Sequence, residues 1–194
     1  MTPPPTTPAT WTPRDAEKLY NMPGWGLGFF RTNADGHVTV HADGDPAHGL
    51  DLYQLAMDLQ AQGVGLPLLL RFSDILRARI SQLAEVFRSA IGEFGYEGSY
   101  TTVYPIKVNQ QRHVVEQVVN YGKVYGFGLE AGSKPEMLAV VAMTDADTPI
   151  ICNGFKDAEF IEMAMLAQKM GRKVIPVVEK YTELALILKY AEKV

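Results

Sequence analysis

The chain has 194 residues, enough for one large domain or for one domain and part of another. Hydrophobic residues make up 47% and charged residues 21%, as in a globular protein, and no apolar run approaches the roughly 18 residues of a membrane span. The net charge of −4, without a lysine or arginine cluster, argues against nucleic-acid and membrane partners and favours a small molecule or a protein. A single cysteine excludes an internal disulfide, and the N-terminus lacks a signal-peptide pattern, so we expect a cytoplasmic location.

The first residues have the composition of a disordered tail. Residues 1–13 contain five prolines and five threonines, and Trp11 is their only aromatic residue. Such a segment has too little apolar surface to offset the entropy that it loses on ordering. We therefore predict a disordered tail over residues 1–20.

Residues 21–72 are predicted to form a segment that contains a β-hairpin. Asp35-Gly36, a dipeptide typical of tight hairpin turns, lies between two runs of alternating residues. Further along, residues 50–62 have the apolar spacing of a helix. Residues 66–72 form an almost continuous apolar run, which predicts a short buried strand.

Three histidines in this segment raise the question of a metal site. His37 and His41 are four residues apart and would share one face of a strand, and His48 follows an acidic turn. However, polar residues that alternate with Val38 and Val40 are also typical of the solvent face of a hairpin. No fourth ligand has a suitable spacing, so we predict no metal site here.

Residues 73–194 are predicted to form four strand–helix units. A long amphipathic helix begins at Ser73 or Asp74 and ends before Gly95. Beyond it, apolar runs recur about every 24 residues, with helical patterns between them. The runs are residues 102–108, 125–131, 148–153 and 173–179. Continuous apolar strands that alternate with helices indicate an α/β fold with a parallel sheet, either doubly wound or half of a (β/α)8 barrel.

Local signals sharpen some of these boundaries. Ser133-Lys134-Pro135-Glu136 is a capping box with proline in the first turn, which predicts a helix that begins just after Ser133. Pro105 and Pro176 fall inside two predicted strands. Because proline cannot donate to a β-ladder, each strand needs a bulge or an end at that residue.

The carboxyl ends of the predicted strands carry polar residues, and ligands bind at this edge in both parallel architectures. Most of these residues need no functional explanation, because strand ends are commonly polar where they meet water. Lys107 differs, because it follows Val103–Ile106 and precedes Val108, so we expect its ammonium to rise from a buried strand. Desolvation there would lower its pKa, as in lysines that form Schiff bases. The other residues at the strand ends are Asn109, Glu130, Asn153, Lys156, Glu179 and Lys180.

A dinucleotide site is the rival interpretation. Residues 126–131 match G-x-G-x-x-A at the end of a strand and before a helix. Against this reading, Glu130 would lie in the turn that should hold a pyrophosphate, and the capping box begins the helix at Ser133, after the motif. A dinucleotide-dependent oxidoreductase therefore stays a minor alternative.

Two long motifs resemble the biosynthetic arginine decarboxylases, which belong to the alanine-racemase-like class of pyridoxal-phosphate proteins. The motifs are Tyr104-Pro105-Ile106-Lys107-Val108-Asn109-Gln110-Gln111 and Phe127-Gly128-Leu129-Glu130-Ala131-Gly132-Ser133-Lys134-Pro135-Glu136. The resemblance runs from about residue 20 to the end of the chain. It implies a fold in which a short β-rich segment precedes the N-terminal half of a (β/α)8 TIM-type barrel, with residues 73–194 as its first four βα units.

The resemblance also implies site residues and cofactors. Lys107 would hold pyridoxal 5′-phosphate as the catalytic lysine, and Glu130 would lie near that cofactor. Mg²⁺ is a further expectation that rests on the family alone. The chain ends inside the fourth predicted helix whereas the family continues, so we expect an N-terminal part that is inactive by itself.

The function implied by the resemblance is decarboxylation of L-arginine to agmatine and CO2, a step of polyamine and spermidine biosynthesis. The partners expected from it are the small-molecule substrate and, for the complete enzyme, further copies of itself. Two alternatives stay open beside the oxidoreductase. One is another basic amino-acid decarboxylase of the same class, and the other is a non-catalytic pyridoxal-phosphate-binding protein.

Overall fold

A computed structural model describes residues 10–193 of the chain. The chain divides into two compact units, the first ending at Ile75 and the second beginning at Leu76. Among the helices within this described range, none is long and apolar enough to cross a membrane.

In its described residues, 10–75, the first unit contains an antiparallel sheet and the short helices that flank it. Its elements are α1 (Pro13–Leu19), α2 (Met22–Gly26), β1 (Phe30–Thr32), β2 (Val38–Val40), β3 (Leu50–Asp51) and α3 (Leu52–Ala61). The strands lie in the order β1-β2-β3, and both pairings are antiparallel. The β-rich segment expected before the parallel units is thus present.

Helix α1 corrects the predicted tail. The disordered segment was expected over residues 1–20, but residues 13–19 are helical, and residues 1–9 lie outside the described residues. The local signals are strong: proline begins the helix, and the Asp15 carboxylate accepts hydrogen bonds from the backbone N–H and the hydroxyl of Thr12, at 2.9 and 2.6 Å. Overall composition therefore gave the wrong answer where capping chemistry was decisive.

The predicted hairpin is confirmed. Strands β1 and β2 pair with Phe30 opposite Val40. In the turn, the side-chain oxygen of Asn33 accepts hydrogen bonds from the backbone N–H groups of Asp35 and His37, at 3.1 and 2.9 Å. Gly36 has φ +83°, a left-handed conformation that side chains resist, which explains the glycine of the Asp-Gly signal.

The short buried strand predicted over residues 66–72 is absent. Leu66 and Leu69 are 62% and 77% exposed, and the segment has no regular secondary structure. A strand needs a hydrogen-bonded neighbour, and the three-stranded sheet does not extend to this segment. Pro67 also removes one ladder donor. An apolar run by itself does not specify a strand.

The second unit is the predicted series of strands and helices. Its first element is the long helix α4 (Ser73–Glu93), most of which lies beyond the division at Ile75. The elements that follow are β4 (Val103–Pro105), α5 (Arg112–Gly122), β5 (Gly128–Ala131), α6 (Lys134–Met143), β6 (Ile150–Cys152), α7 (Ala158–Lys169), β7 (Val174–Pro176) and α8 (Tyr181–Lys193). The four strands are parallel in the order β4-β5-β6-β7, which confirms the four βα units.

The core of the second unit lies between this sheet and its helices. Leu129 and Ile150 of the strands are fully buried, together with Val115 of α5 and Phe160 and Ile161 of α7. Each such side chain contributes about 1.5–3 kcal/mol by leaving water. The core therefore holds the strands rigidly and fixes where their carboxyl ends lie.

Two strands end at proline, as predicted. Strand β4 ends at Pro105 and β7 at Pro176, and neither proline has an N–H to donate to a ladder. Strand β5 begins at Gly128, where an added Cβ atom would lie 2.5 Å from the carbonyl oxygen of Pro149. The glycine thus permits close approach of two backbones.

The N-terminus of α6 is close to the prediction. Ser133 is the N-cap, and its hydroxyl accepts a hydrogen bond from the backbone N–H of Glu136 at 3.4 Å. The Glu136 carboxylate accepts from the backbone N–H of Gly132 at 2.7 Å, one residue earlier than an ordinary capping box requires. This bond ties the loop after β5 to the first turn of α6.

Candidate functional site

Lys107 lies just beyond the carboxyl end of the first parallel strand. Strand β4 ends at Pro105, and a 3₁₀ turn over Ile106–Val108 carries the chain away from the sheet. Ile106 is the buried residue of this turn, whereas the Lys107 side chain is 63% exposed. The expectation of a desolvated ammonium in a buried strand is therefore wrong, because the strand ends two residues before Lys107.

Glu130 faces Lys107 from the neighbouring strand. In the parallel register Glu130 is opposite Pro105, which brings it to the same edge as the turn. Its Oε1 lies 3.6 Å from Nζ of Lys107, and its side chain is 17% exposed. The two residues that the sequence singled out thus form an ion pair whose ammonium is open to solvent and whose carboxylate is largely shielded.

The segment after Lys107 is held by its own hydrogen bonds. The Tyr104 hydroxyl donates to the carbonyl oxygen of Asn109 at 3.3 Å, and the Asn109 side chain accepts from the backbone N–H of Gln111 at 3.0 Å. Burial raises the pKa of Tyr104, so this hydroxyl keeps its proton and acts as a donor at neutral pH. These contacts fix the path of the chain on both sides of Lys107.

Two more lysines lie at the same edge, each paired with carboxylates of the following βα unit. Lys134, at the start of α6, contacts Asp157 at 2.8 Å and Glu159 at 2.6 Å. Lys156, in the loop after β6, contacts Glu179 at 3.1 Å and Glu183 at 3.4 Å, and its side chain is fully buried.

Sequence reasoning missed the burial of Lys156. It grouped the residue with solvated polar strand ends, and nothing in the local sequence marks the carboxylates that cover it. By contrast, Lys180, another strand-end residue, lies with its ammonium 5.3 Å from the centre of the exposed Phe155 ring.

The glycine motif does not form a nucleotide-binding turn. Its second half, Gly128–Ala131, is strand β5, and α6 begins only at Lys134. Glu130 faces Lys107 in this strand, where a pyrophosphate would meet a carboxylate. The geometry gives the dinucleotide interpretation no support.

The histidines of the first unit use their ring nitrogens for protein contacts. His37 lies 2.8 Å from Asp51, and His48 lies 2.8 Å from Asp43. His41 is buried, with its ring nitrogens 3.0 Å from the Thr39 hydroxyl and 3.0 Å from the carbonyl oxygen of Asp45. Within residues 10–193, no group of three histidine, cysteine or acidic residues could hold a metal ion.

The described second unit is a parallel βα fold with an exposed lysine just beyond the carboxyl end of its first parallel strand, the edge at which ligands bind in such folds. A family comparison identifies the class of protein. The family model for the pyridoxal-dependent decarboxylases, pyridoxal binding domain, matches residues 77–194. The chain belongs to this family.

Individual relatives are similar over almost the whole chain. A biosynthetic arginine decarboxylase of Rhodopirellula baltica is 52% identical over 184 residues, covering 95% of this chain and 28% of that protein. One from Thermosynechococcus vestitus is 50% identical over 186 residues, covering 94% of this chain and 29% of that protein. The chain therefore spans less than a third of the length of these relatives.

A solved structure supports the same relationship. The crystal structure of the biosynthetic arginine decarboxylase SpeA from Campylobacter jejuni matches with a TM-score of 0.83 and 35% identity, over 90% of this chain and 29% of that one. The predicted fold class is confirmed: the described chain is the N-terminal part of a TIM-barrel enzyme fold, with an antiparallel segment before the parallel units.

Proposed function

We propose that the protein containing this chain decarboxylates L-arginine to agmatine and CO2 with pyridoxal 5′-phosphate. The observation that carries the proposal is the Lys107–Glu130 pair at the carboxyl edge of the parallel sheet, with Nζ and Oε1 3.6 Å apart. The relatives named arginine decarboxylase, at about half identical residues, support arginine as the substrate.

The residues present fit the cofactor. Pyridoxal phosphate offers an aldehyde to a primary amine, and its ring accepts the electron pair left behind when CO2 departs. A lysine that receives such an aldehyde has to be reachable from outside, and the Lys107 side chain is 63% exposed. It projects from the edge at which ligands bind in parallel α/β proteins. Lys107 is thus the residue of this chain that would hold the cofactor.

Glu130 has a second role in the proposal. Its carboxylate is largely shielded, and it lies beside Nζ of Lys107 rather than in bulk water. It can accept a hydrogen bond or a proton from that nitrogen after a small movement. We assign Glu130 to orienting the Lys107 amine and to the polar surroundings of the cofactor.

Some parts of the proposal rest on the resemblance alone. They are a requirement for Mg²⁺, assembly of the complete protein with further copies of itself and a place in spermidine biosynthesis. A cytoplasmic location is also proposed, from the single cysteine and the N-terminal sequence. The division into a β-rich segment over residues 21–72 and a barrel segment over residues 73–194 is part of the proposal as well, and it rests on the sequence patterns as well as on the resemblance. A non-catalytic pyridoxal-phosphate protein would share every feature of the Lys107 site and differ only in turnover.

Borohydride trapping tests the proposal. The complete protein, as its cell makes it, is incubated with pyridoxal phosphate, reduced with borohydride and mapped by peptide mass. We expect the pyridoxyl label on Lys107 and agmatine formation from labelled arginine in the same preparation. A label on Lys134, Lys156 or Lys180 instead would contradict the site, and a label on Lys107 without turnover of arginine would contradict the decarboxylase.

Substrate choice needs a separate arm. Labelled lysine and ornithine are offered beside arginine at equal concentration. Preferential release of CO2 from arginine is expected. Faster release of CO2 from lysine or ornithine would mean that the protein is another basic amino-acid decarboxylase. The proposed cofactor site would then stand unchanged.

A further inference from the structure

Lys156 is a fully buried cation in the loop between β6 and α7. Its ammonium donates to the carbonyl oxygen of Gly154 and lies 3.1 Å from Oε2 of Glu179 and 3.4 Å from Oε2 of Glu183. Moving a charge out of water is costly unless it is paired and hydrogen-bonded. Since Lys156 has three oxygen partners, the fold accommodates its charge by placing them around it.

The carboxylates of this cluster are themselves held in place. Glu183 is buried in the first turn of α8, and its Oε2 accepts hydrogen bonds from the backbone N–H groups of Glu179 and Lys180, at 2.9 and 3.2 Å. Burial alone would raise the pKa of Glu183, but these N–H groups and the Lys156 ammonium lower it. The carboxylate is therefore charged at neutral pH. Glu179 is half-exposed and closes the cluster at the surface.

The cluster connects to the Lys107–Glu130 pair through the backbone. A Cβ atom added to Gly154 would lie 2.9 Å from the carbonyl oxygen of Gly132, so the loops after β5 and β6 are in backbone contact. The backbone N–H of Asn153 also donates to the carbonyl oxygen of Ala131 at 3.1 Å. Ala131 directly follows Glu130 in the chain.

We propose that Lys156, clamped by Glu179 and Glu183, is a positioning residue that fixes the loop over residues 153–156 and thereby holds Glu130 opposite Lys107. The inference rests on the proposed function only in that Lys107 is taken to hold the cofactor. It assigns a role to a buried charge that the proposed chemistry does not itself use.

A purely structural role is the competing explanation. The ion cluster also joins the loop after β6 to helix α8, and it would stabilise the fold without affecting Glu130. The two roles differ in where the molecule loosens when the charge is removed. If Lys156 positions the loop, its removal should accelerate amide exchange only at the carboxyl edge. If it only stabilises the fold, its removal should accelerate exchange throughout the sheet.

The test compares Lys156→Met with Lys123→Met in the complete protein. Lys123 is an exposed lysine that lies 2.6 Å from Asp145, outside the proposed site. Amide hydrogen exchange is measured at Asn153 and Gly132 at the carboxyl edge, and at Leu129 in the core. Pyridoxal phosphate affinity is measured by absorbance titration.

For Lys156→Met we expect exchange at Asn153 to accelerate about tenfold, with Leu129 changed far less. The dissociation constant of pyridoxal phosphate should rise about tenfold, because a small misplacement of a polar group beside the reacting centre is costly. Lys123→Met should leave both measurements unchanged. Equal acceleration at Asn153 and Leu129 would overturn the proposal, and so would local acceleration with unchanged cofactor affinity.

Glu179→Gln serves if Lys156→Met fails to fold. The Glu179 side chain is 46% exposed, so this variant removes one partner of Lys156 at the surface and leaves the buried Glu183 in place. It should shift exchange at Asn153 and cofactor affinity in the same directions by smaller factors. If neither the exchange at Asn153 nor the cofactor affinity changed, the proposed positioning role of Lys156 would be overturned. If the wild-type protein takes up no pyridoxal phosphate, the proposed function fails, while exchange at Asn153 still decides whether Lys156 holds this edge.

Discussion

The two edges of the parallel sheet differ sharply in chemistry. At the carboxyl edge, Lys107, Lys134 and Lys156 each pair with carboxylates of the next βα unit. At the amino edge, aromatic rings line a cavity of about 250 Å³ beside α4, and Phe87 and Tyr100 stack with ring centres 3.6 Å apart. The carboxyl edge thus carries the lysine–carboxylate pairs of the strand ends, whereas the amino edge combines aromatic packing with the exposed Lys123–Asp145 pair.

This difference follows from the parallel arrangement. Every strand of the sheet points the same way, so each strand-to-helix loop reaches the same edge, where helices also begin. A lysine in one loop then meets acids in the next, as Lys134 meets the helix N-cap Asp157. Substitutions at the carboxyl edge should therefore affect chemistry, and substitutions at the amino edge should affect stability alone.

The largest effect is expected at Lys107. Replacing it with alanine removes the amine that would receive the cofactor, so decarboxylation by the complete protein should fall by about 10²–10⁴-fold. The pyridoxyl label should disappear from its peptide, while far-ultraviolet circular dichroism stays unchanged because the Lys107 side chain is mostly exposed. If the Lys107→Ala variant took up as much pyridoxyl label as wild type, Lys107 would not be the cofactor lysine, and the chemistry assigned to the carboxyl edge would be contradicted.

Cys152 offers a contrasting residue near the same edge. It ends strand β6 fully buried, and burial raises the pKa of its thiol to about 12, although the Lys156 ammonium opposes the shift. Relative to the ordinary value of 9.0, the thiolate fraction at pH 8 falls about a thousandfold. Iodoacetamide should therefore leave native Cys152 unmodified and alkylate it readily in denaturant. Rapid alkylation of the native protein would contradict this burial. It would show that reagents reach residues beneath the carboxyl edge as well as the exposed Lys107.

The four βα units and the Lys107 motif could be read from the sequence, because apolar periodicity and a long motif are local signals. The burial of Lys156 could not, since its partners Glu179 and Glu183 become neighbours only when β6 and β7 pair. The exposure of Lys107 was missed for a related reason: Pro105 was recognised as a constraint on β4, but the 3₁₀ turn after it was not. Local patterns predict elements, and the contacts between elements decide which charges are buried.

Gly128 tests the amino edge. A Cβ atom there would lie 2.5 Å from the carbonyl oxygen of Pro149, a backbone atom that cannot easily move, so Gly128→Ala should destabilise the protein by about 1–3 kcal/mol. Gly92→Ala is the matched control, since nothing lies within 4 Å of its Cβ position near the end of α4. Denaturant unfolding measures both. Cofactor labelling of folded Gly128→Ala should equal that of wild type, and a loss of labelling would contradict the separation of the two edges.

The smallest effect is expected for the exposed pair of Lys123 and Asp145. Hydrogen bonds from the Lys123 ammonium and from Thr148 lower the pKa of Asp145 below its ordinary value of 3.8. A depressed pKa in the folded state stabilises the protein at every pH above 3.8, and this contribution is lost as the pH falls through the folded value.

Asp145→Asn should therefore lower the melting temperature by about 2 °C at pH 7, and the difference from wild type should shrink in acid below pH 3.8. Glu97→Gln, which removes an exposed carboxylate with no ion pair in the described part of the chain, should leave the melting temperature unchanged at both pH values. A difference for Asp145→Asn that persists undiminished in acid would mean that the amide disturbs packing rather than an ion pair. Because the pair is exposed and lies away from Lys107, the variant should keep wild-type cofactor labelling, and reduced labelling would show that charge at the amino edge reaches the chemistry after all.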